Sequence, residues 1–585
     1  MELEDILSQV NKPGRYIGGE WNAARKDFDA AAIKFALCFP DLYEVGMSNL
    51  GIRILYGILN GLSDVICDRF FSCAGDLEAL LRKNNLELFS LESKRHFKEF
   101  DIIGFSLGYE LSYTNVLNML ELGGIPFKAS ERNQGFPLII AGGPCVMNPE
   151  PLHEFFDLFV IGEAEEVILE IIDTYRRLKH KFKAGQIDKQ ELLTVFAGIE
   201  GIYVPSLYEV LYADSAGIKE FRPKYAGIPF KIRKRVINDL NNAYFPLDWV
   251  VPYIQIIHDR VGLEVMRGCP NTCRFCQAKS LYFPYRLRKT QNILNMASSI
   301  YERTGYEEAA LCGLSVSDHS HIENLLEGLI GLYREHSISV SLPSIKPKLL
   351  VGNLSSLIAT IKKTGLTFAP EAATARLRNA LGKDFDEDSF YKVIEQAYAS
   401  GYQRIKLYFM IGLPGETETD LDAIAGFAEH VSVLRKKTGK PRAQVNISIN
   451  ALIPKPHTPF QWFKMEPLES IKQKQDYLRK KIKSRKIKLT LHNPYMSFTE
   501  AVLSRGDRRL SSVILEAFKN GAKFDAWEDS FYFEKWMNAF NECGLDPLFY
   551  LQEKAQNEFL PWDFLDIGIT RETLRNEFEK LIAVK

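Results

Sequence analysis

The sequence predicts an α/β protein made of two successive βα series and a helical tail, and three observations carry that reading. Short apolar runs ending in Gly or Ser alternate with helical patterns over residues 31–185. A second alternation occupies 256–490, and the stretch 491–585 is helical and aromatic-rich (Trp527, Phe531, Phe533, Trp536, Phe540). Strands that alternate with helices imply parallel sheets. The first series therefore reads as a doubly wound domain and the second as a (β/α)6 partial barrel. A second open sheet is the alternative there, and periodicity alone does not separate the two.

In chain order, residues 1–30 form a polar lead-in around Lys12-Pro13-Gly14-Arg15. Ile33–Phe39, Asp64–Phe70, Asp101–Leu107, Pro137–Gly143 and Phe156–Gly162 are strands, with helices at Ser48–Leu59, Gly75–Lys83 and Glu163–Arg177. Such a Rossmann-like sheet binds ligands beyond the carboxyl ends of its strands. Residues 186–255, with Pro205, Pro223, Pro229 and Pro246, form a connecting segment with some β-structure. The second series places strands at Gly262–Met266, Glu308–Leu314, Ile338–Leu342, Leu366–Ala369, Arg404–Ile411 and Gln444–Ile453. Helices at Ile322–Glu335, Asp386–Ala399 and Thr419–Lys437 lie between them.

Composition narrows the function classes. At 585 residues the chain is too long for one ordinary domain. Hydrophobic content of 46% and charged content of 25% are those of a globular protein, which argues against disorder and fibrous repeats. Lys+Arg of 73 against Asp+Glu of 74 gives a net charge of -1, without the basic excess of a dedicated nucleic-acid binder. Lys480–Lys488 carries six basic residues in nine, and reads as a solvated helix face leading into a strand rather than a phosphate-binding run. The acidic start Met1-Glu2-Leu3-Glu4-Asp5 is unlike a signal peptide, and there is no apolar run of membrane-spanning length. Nine cysteines without an export signal then lead us to expect a reducing cytoplasm.

Three of those cysteines are clustered. Arg267-Gly268-Cys269-Pro270-Asn271-Thr272-Cys273-Arg274-Phe275-Cys276 follows a strand with the spacing C-x3-C-x2-C. Thiolate sulfur selects zinc, copper(I) or iron–sulfur clusters. Structural zinc wants four ligands, yet the chain has no second cysteine pair, and His258 lies eleven residues before Cys269. Chance grouping of packing cysteines is the bland alternative.

This spacing, with Phe275 before the last cysteine, resembles the signature of the radical S-adenosylmethionine (radical SAM) superfamily. The resemblance covers about residues 256–490. It implies a 4Fe–4S cluster on Cys269, Cys273 and Cys276, whose fourth iron is chelated by S-adenosylmethionine. It further implies reductive cleavage to a 5′-deoxyadenosyl radical that abstracts hydrogen from a substrate. Carried over by position, Gly313 in Ala310–Ser315 corresponds to the segment binding the methionine amino group, although the usual Gly-Gly-Glu form is absent. Glu371 in Ala369-Pro370-Glu371 corresponds to the ribose position, and Arg376 or Arg378 to a partner for the carboxylate. Gly412, Gly415 and Glu416 match a glycine turn on the fifth strand, and Asn450–Pro454 the adenine-facing strand.

The upstream sheet is similar to cobalamin-binding domains, which carry D-x-H-x-x-G, S-x-L and Gly-Gly. Here Asp41-Leu42-Tyr43-Glu44-Val45-Gly46, Ser106-Leu107 and Gly142-Gly143 keep the frame, with Tyr43 in place of the cobalt-ligating histidine. A phenol with an ordinary pKa of about 10 is a poor cobalt ligand at neutral pH. The resemblance therefore implies cobalamin bound without that ligand, or a sheet that has lost the corrin. The layout as a whole resembles a bacterial radical SAM family whose reaction is unassigned.

If cobalamin binds, methylation of an unreactive carbon is the leading reaction. Otherwise hydrogen abstraction and rearrangement stand equal. A methylthiotransferase acting on tRNA or ribosomal protein is the first alternative, although Cys38, Cys67, Cys73 and Cys145 do not match its second cluster. A non-catalytic iron–sulfur sensor is the second. The expected partners are a substrate of unknown identity and a low-potential donor such as flavodoxin or ferredoxin. No membrane is expected, and nucleic acid is not favoured. Asp318, His319, His321 and His457 are polar candidates at strand ends, with loop capping as the plainer reading. Ser504–Arg509 reads as a helix end tied down by ion pairs, and Cys312 as strand packing. No catalytic residue is assigned.

Overall fold

The computed structural model describes residues 3–213, 217–334, 338–341 and 365–582. The first sheet contains β1 (Ile33–Phe39), β2 (Val65–Phe71), β3 (Ile102–Ser106), β4 (Leu138–Gly142), β5 (Leu158–Val160) and β6 (Ile202–Tyr203) in the order β2-β1-β3-β4-β5-β6. The first five are parallel and β6 adds antiparallel. This is a doubly wound order with its switch point between β1 and β3, where the sheet opens a crevice. The strands read as continuous apolar runs because helices cover both faces, and every residue of β2 is buried.

The segment 186–255 contributes β6, the antiparallel hairpin β7 (Tyr208–Tyr212) and β8 (Ile218–Pro223), and β9 (Ile232–Arg233). The first sheet thus continues past residue 185. Two expectations need correction here. The run Phe156–Gly162 forms only the three residues of β5, because Gly162 takes a φ of 108° and its backbone bridges Arg235. The following helix starts at Val167 rather than Glu163, since Glu163 and Glu165 are drawn across to arginines of the second series.

The second series forms β10 (Val261–Glu264), β11 (Met266–Arg267), β12 (Arg286–Leu287), β13 (Glu308–Cys312), β14 (Ser339–Ser341), β15 (Leu366–Glu371), β16 (Arg404–Ile411), β17 (Gln444–Ala451) and β18 (Ile487–Leu491). The parallel runs are β10-β13-β14 and β15-β16-β17-β18, so a seventh parallel strand joins the six expected. Leu342, the end of one expected strand, lies outside the described residues. The expected strand Gly262–Met266 is split. At Val265 the chain leaves the sheet: its N–H reaches Cys312 O, its carbonyl accepts from Arg288 N–H, and β11 then pairs antiparallel with β12. Along β16 and β17 buried residues alternate with half-exposed ones, so one face packs on helices while Lys406, Tyr408 and Met410 stay on the open side.

The tail is helical, as expected, and clasps both sheets. Its β19 (Leu565–Asp566) pairs parallel with β9. Asn148 donates to the carbonyls of Ser504 and Gly506, and Arg508 donates to Glu150 and Tyr203. Arg505 is buried among backbone carbonyls, including those of Tyr550 and Pro454. Ser504–Arg509 is therefore a structural tie. Lys480–Lys488 runs from the end of a helix into β18.

Candidate active site at the seam of the two sheets

The three clustered cysteines sit on an excursion closed by the β11–β12 pair at the barrel mouth. Gly268 opens it with a φ of 74°, and a Cβ there would meet Pro284 O at 2.7 Å and Tyr282 O at 2.8 Å, so the tight entry requires glycine. Cys276 precedes the helix Gln277–Leu281. The far end of that helix is held by Lys234, whose buried ammonium donates to the carbonyls of Ser280, Leu281 and Phe283 at 3.1, 3.0 and 2.8 Å. Burial lowers the Lys234 pKa to about 8. Arg274 ties the loop to Glu577 at 2.8 Å and to the carbonyls of Asn379 and Ala380.

All three thiols are free and half-buried. Burial pushes the Cys273 thiol up to about 11, with Lys383 opposing and Cys276 and Cys269 adding to the rise. Cys276 is raised for the same first reason. The loop thus gathers three half-buried thiols, and burial favours the protonated form of Cys273 and Cys276 until a metal displaces the protons. Among the described residues no three His, Cys, Asp or Glu side chains are already drawn into a metal-holding group. The fit to a cluster therefore rests on the donor set, which is three soft sulfurs on one short loop. Asn271 Nδ2 donates to Cys269 Sγ at 3.1 Å and to Asp318 Oδ2 at 2.9 Å.

The other residues named for S-adenosylmethionine divide. Gly313 follows β13 and faces the cavity described below, with the Met266 side chain 2.5 Å from where a Cβ would stand. Glu371 ends β15 at a register shift with a φ of 66°, an unusual conformation for a non-glycine residue. Its carboxylate takes the Lys383 ammonium at 2.8 Å, and Lys383 Nζ also lies 5.7 Å from the Phe275 ring centroid. Burial raises the Glu371 pKa and Lys383 opposes it. Arg376 turns to Asp420 at 2.6 Å and to Gly415 O at 3.0 Å, while Arg378 is buried against Ala373 O and Glu387. Glu416 braces its own turn, accepting from Gly412 N–H at 2.8 Å and from Lys474 at 2.8 Å.

Between the carboxyl ends of the first sheet and the barrel lies a mainly apolar cavity of about 600 Å³. Ser106, Gly142 and Gly143 line it, as do Gly104, Cys312 and Gly313. Gly143 has a φ of 102° and packs so closely that a Cβ would meet Leu107 O at 2.7 Å. Asp41, Tyr43 and Gly46 do not line this cavity. Asp41 accepts from Trp527 Nε1 at 2.9 Å, and Gly46 lies under the Phe71 ring. Tyr43 donates to Glu20 at 2.9 Å, within a buried set in which Arg69 pairs with Glu20 at 2.8 Å and Glu92 at 2.6 Å. Burial, followed by the Glu20 charge, raises the Tyr43 pKa.

Sequence reasoning missed the polar floor of the cavity. Glu163 and Glu165 follow β5 and meet Arg267 and Arg286 across the seam, while Glu264 pairs with Arg267 at 2.8 Å and Arg288 at 3.2 Å. Three carboxylates face three guanidiniums, so the set is balanced. The available signal was the pair of glutamates immediately beyond a strand's carboxyl end. His319 caps its loop, with Nε2 against Arg288 O and Nδ1 accepting the His321 N–H. Asp318 holds Asn271 and Ser315, and His457 is buried against Met147 O.

Two family models match the chain: Radical SAM proteins, N-terminal, over residues 51–205, and Radical SAM superfamily over 263–428. The chain belongs to the radical SAM superfamily. This radical SAM protein is an enzyme, and the superfamily's cofactors are a 4Fe–4S cluster and S-adenosylmethionine. It is 28% identical to the uncharacterized protein MJ0966 of Methanocaldococcus jannaschii over 87% of its own length and 97% of that protein. It is 24% identical to the ribosomal protein uS12 methylthiotransferase RimO of Pelotomaculum thermopropionicum, over 32% of this chain and 43% of that one. Among solved structures, TsrM of Kitasatospora setae, a radical S-adenosylmethionine methyltransferase with cobalamin and a [4Fe–4S] cluster bound, aligns with a TM-score of 0.46 at 12% identity. That alignment covers 75% of each chain. OxsB, a cobalamin-dependent S-adenosylmethionine radical enzyme, aligns with a TM-score of 0.46 at 12% identity over 94% of this chain and 79% of that one. No helix among the described residues is long and apolar enough to cross a membrane.

Proposed function

We propose that this radical SAM enzyme reductively cleaves S-adenosylmethionine and uses the seam cavity for a corrin, giving cobalamin-dependent methylation of a substrate carbon. The observation that carries the reading is the shared opening. The cavity runs from the glycines at the carboxyl ends of β3 and β4 to Gly313 beside the cysteine excursion, so whatever fills it also reaches the barrel mouth. Cys269, Cys273 and Cys276 would hold the cluster. A bound cluster and S-adenosylmethionine supply the radical chemistry of this superfamily.

The remaining work falls to the chain's own residues. Gly268 and Lys234 fix the two ends of the cysteine excursion, and Asn271 orients Cys269. Gly313 and the Glu371–Lys383 pair would hold S-adenosylmethionine. Lys383, beside Phe275 of the cysteine loop, would take a carboxylate of the cofactor by exchanging it for Glu371. Gly412 and Gly415, braced by Glu416, shape the rim. Ser106, Gly142 and Gly143 let a bulky group approach the first-sheet backbone closely. Tyr43, buried against Glu20, offers no lower ligand to cobalt. The low-potential electrons would come from a flavodoxin or ferredoxin.

The methylthiotransferase reading has less support. Its sequence likeness covers about a third of the chain, and Cys38, Cys67, Cys73 and Cys145 are buried thiols, each raised by burial.

The test is an anaerobic reconstitution reduced with dithionite, supplied with S-adenosylmethionine and assayed for 5′-deoxyadenosine. Iron and corrin content are measured in parallel. The wild type is expected to bind one cluster, retain hydroxocobalamin through gel filtration and cleave the cofactor. Cys276→Ala is expected to lose the cluster and all cleavage while still retaining the corrin. A second cluster in the wild type would favour the methylthiotransferase reading, and cluster without cleavage would favour a sensor.

A further inference from the structure

Strand β17 carries a polar atom that the fold leaves unanswered. Asn446 Oδ1 is shut off from water, yet it has no hydrogen-bond partner among the described residues. Its register partner on β16 is Lys406, and both side chains lie on the face of the sheet turned away from the helices. Lys406 makes no ion pair and no hydrogen bond among the described residues. Its ammonium only overlies the Tyr408 ring, 4.6 Å from the centroid. Tyr408 and Ser448 form the next pair along the same face, and their hydroxyls also lack a partner among the described residues.

The charge on this face is one-sided. The edge strand β18 adds Lys488 beside Asn446 and Thr490 beside Ser448. Glu371 is the one carboxylate in the four strands β15 to β18, and Lys383 holds it at 2.8 Å. Elsewhere buried cations are answered, Arg69 by Glu20 and Glu92 and Lys234 by three carbonyls. Here a half-buried ammonium and a buried amide oxygen stand bare side by side, a cost that a ligand or ion would remove.

The donor set suits an oxyanion. Lys406 offers a charge-assisted bond, the two hydroxyls and the Asn446 amide offer neutral ones, and Asn446 Oδ1 accepts from an N–H or O–H beside the anionic group. Lys406 lies four residues before Met410, about 13 Å along an extended strand, so a small molecule held at Lys406 reaches toward the Gly412 turn at the barrel rim.

We infer that this face anchors the substrate, with Lys406, Asn446, Tyr408 and Ser448 receiving a carboxylate or phosphate remote from the reacting carbon. That the ligand is the substrate rests on the reaction proposed above, whereas the anion site itself is read by binding alone. A lysine that merely lays its stem over Tyr408 and points to water would show no anion preference.

The reconstituted full-length protein, unreduced and saturated with S-adenosylmethionine so that the cofactor's own carboxylate site is filled, is titrated calorimetrically at pH 7. The probes are hexanoate, hexyl phosphate and hexylammonium. One of the two anions is expected to bind at least about tenfold more tightly than hexylammonium, and the tighter of them tells a carboxylic acid from a phosphate ester. Lys406→Met should weaken that binding about tenfold, and Lys406→Arg should largely keep it. Asn446→Asp, which sets a carboxylate beside the ammonium, should weaken it at least as much. Thermal unfolding checks each variant, and should Lys406→Met fail to fold, Asn446→Asp decides. Anions binding no more tightly than hexylammonium, or equally well in Lys406→Met and Asn446→Asp, overturn the inference. 5′-Deoxyadenosine is assayed in the same preparations after reduction. A wild type that binds the anion without cleaving S-adenosylmethionine would sink the proposed reaction and leave the anion site standing.

Discussion

The two parallel sheets share a βα topology yet treat their inner surfaces differently. In the first sheet β2 is buried at every residue and β1 at all but one, and the charges that enter this layer are answered there, as Arg69 is by Glu20 and Glu92. In the barrel, β16 and β17 bury one face against helices and leave the other half-exposed. A barrel interior filled by its own side chains is a packed core, and this one leaves room. The first sheet has spent most of its inner surface on packing and opens toward the cavity at the carboxyl ends of β3 and β4, whereas β16 and β17 of the barrel keep one face half-exposed. The same distinction separates Tyr43 from the cysteine loop. Both are marked by family-like spacing, but Tyr43 is satisfied inside the core and the thiols stand half-buried at the mouth.

This contrast can be broken most severely at Arg69. Arg69→Met leaves Glu20 and Glu92 buried without their cation, and denaturant unfolding should show a loss of about 3–5 kcal/mol. Asp525 tests the clasp between the tail and the first sheet. Thr114 donates to its carboxylate at 2.8 Å, yet burial raises its pKa from 3.8 to about 6. The folded state therefore binds the extra proton, so stability is greatest below pH 4 for this group and falls as pH rises toward 6, by about 3 kcal/mol in all. Asp525→Asn should flatten that slope, as thermal unfolding between pH 4 and 7 would show. Tyr43→Phe sharpens the comparison. It should cost about 1–2 kcal/mol through the lost bond to Glu20 and leave corrin retention unchanged, whereas a Tyr43 that faced the corrin would change both. The smallest effect belongs to the barrel rim. Arg376 is 42% exposed and paired with Asp420, so Arg376→Ala should alter stability by less than about 1 kcal/mol and leave the affinity for S-adenosylmethionine nearly unchanged in equilibrium dialysis.

Much of this molecule was legible in its sequence. Apolar runs and helical spacing located β1, the helix Gly75–Lys83 and β16 at their observed bounds, because local periodicity is the imprint of a strand or helix packing on one face. The cysteine spacing pointed to cluster chemistry because three soft ligands on one short loop have few other uses. Errors gathered where distant parts meet. Glu163 did not begin its helix because arginines some hundred residues later claim it. The expected strand at Gly262–Met266 broke at Val265, where the backbone bonds to Cys312 and Arg288. The sequence by itself determined which elements form and which atoms suit iron, since both follow from residue type and near-neighbour spacing. Only the tertiary structure decided that Tyr43 faces inward, that the seam encloses a cavity, and that Lys455 bridges Glu110 and Glu500, because burial and ion pairing depend on groups far apart along the chain.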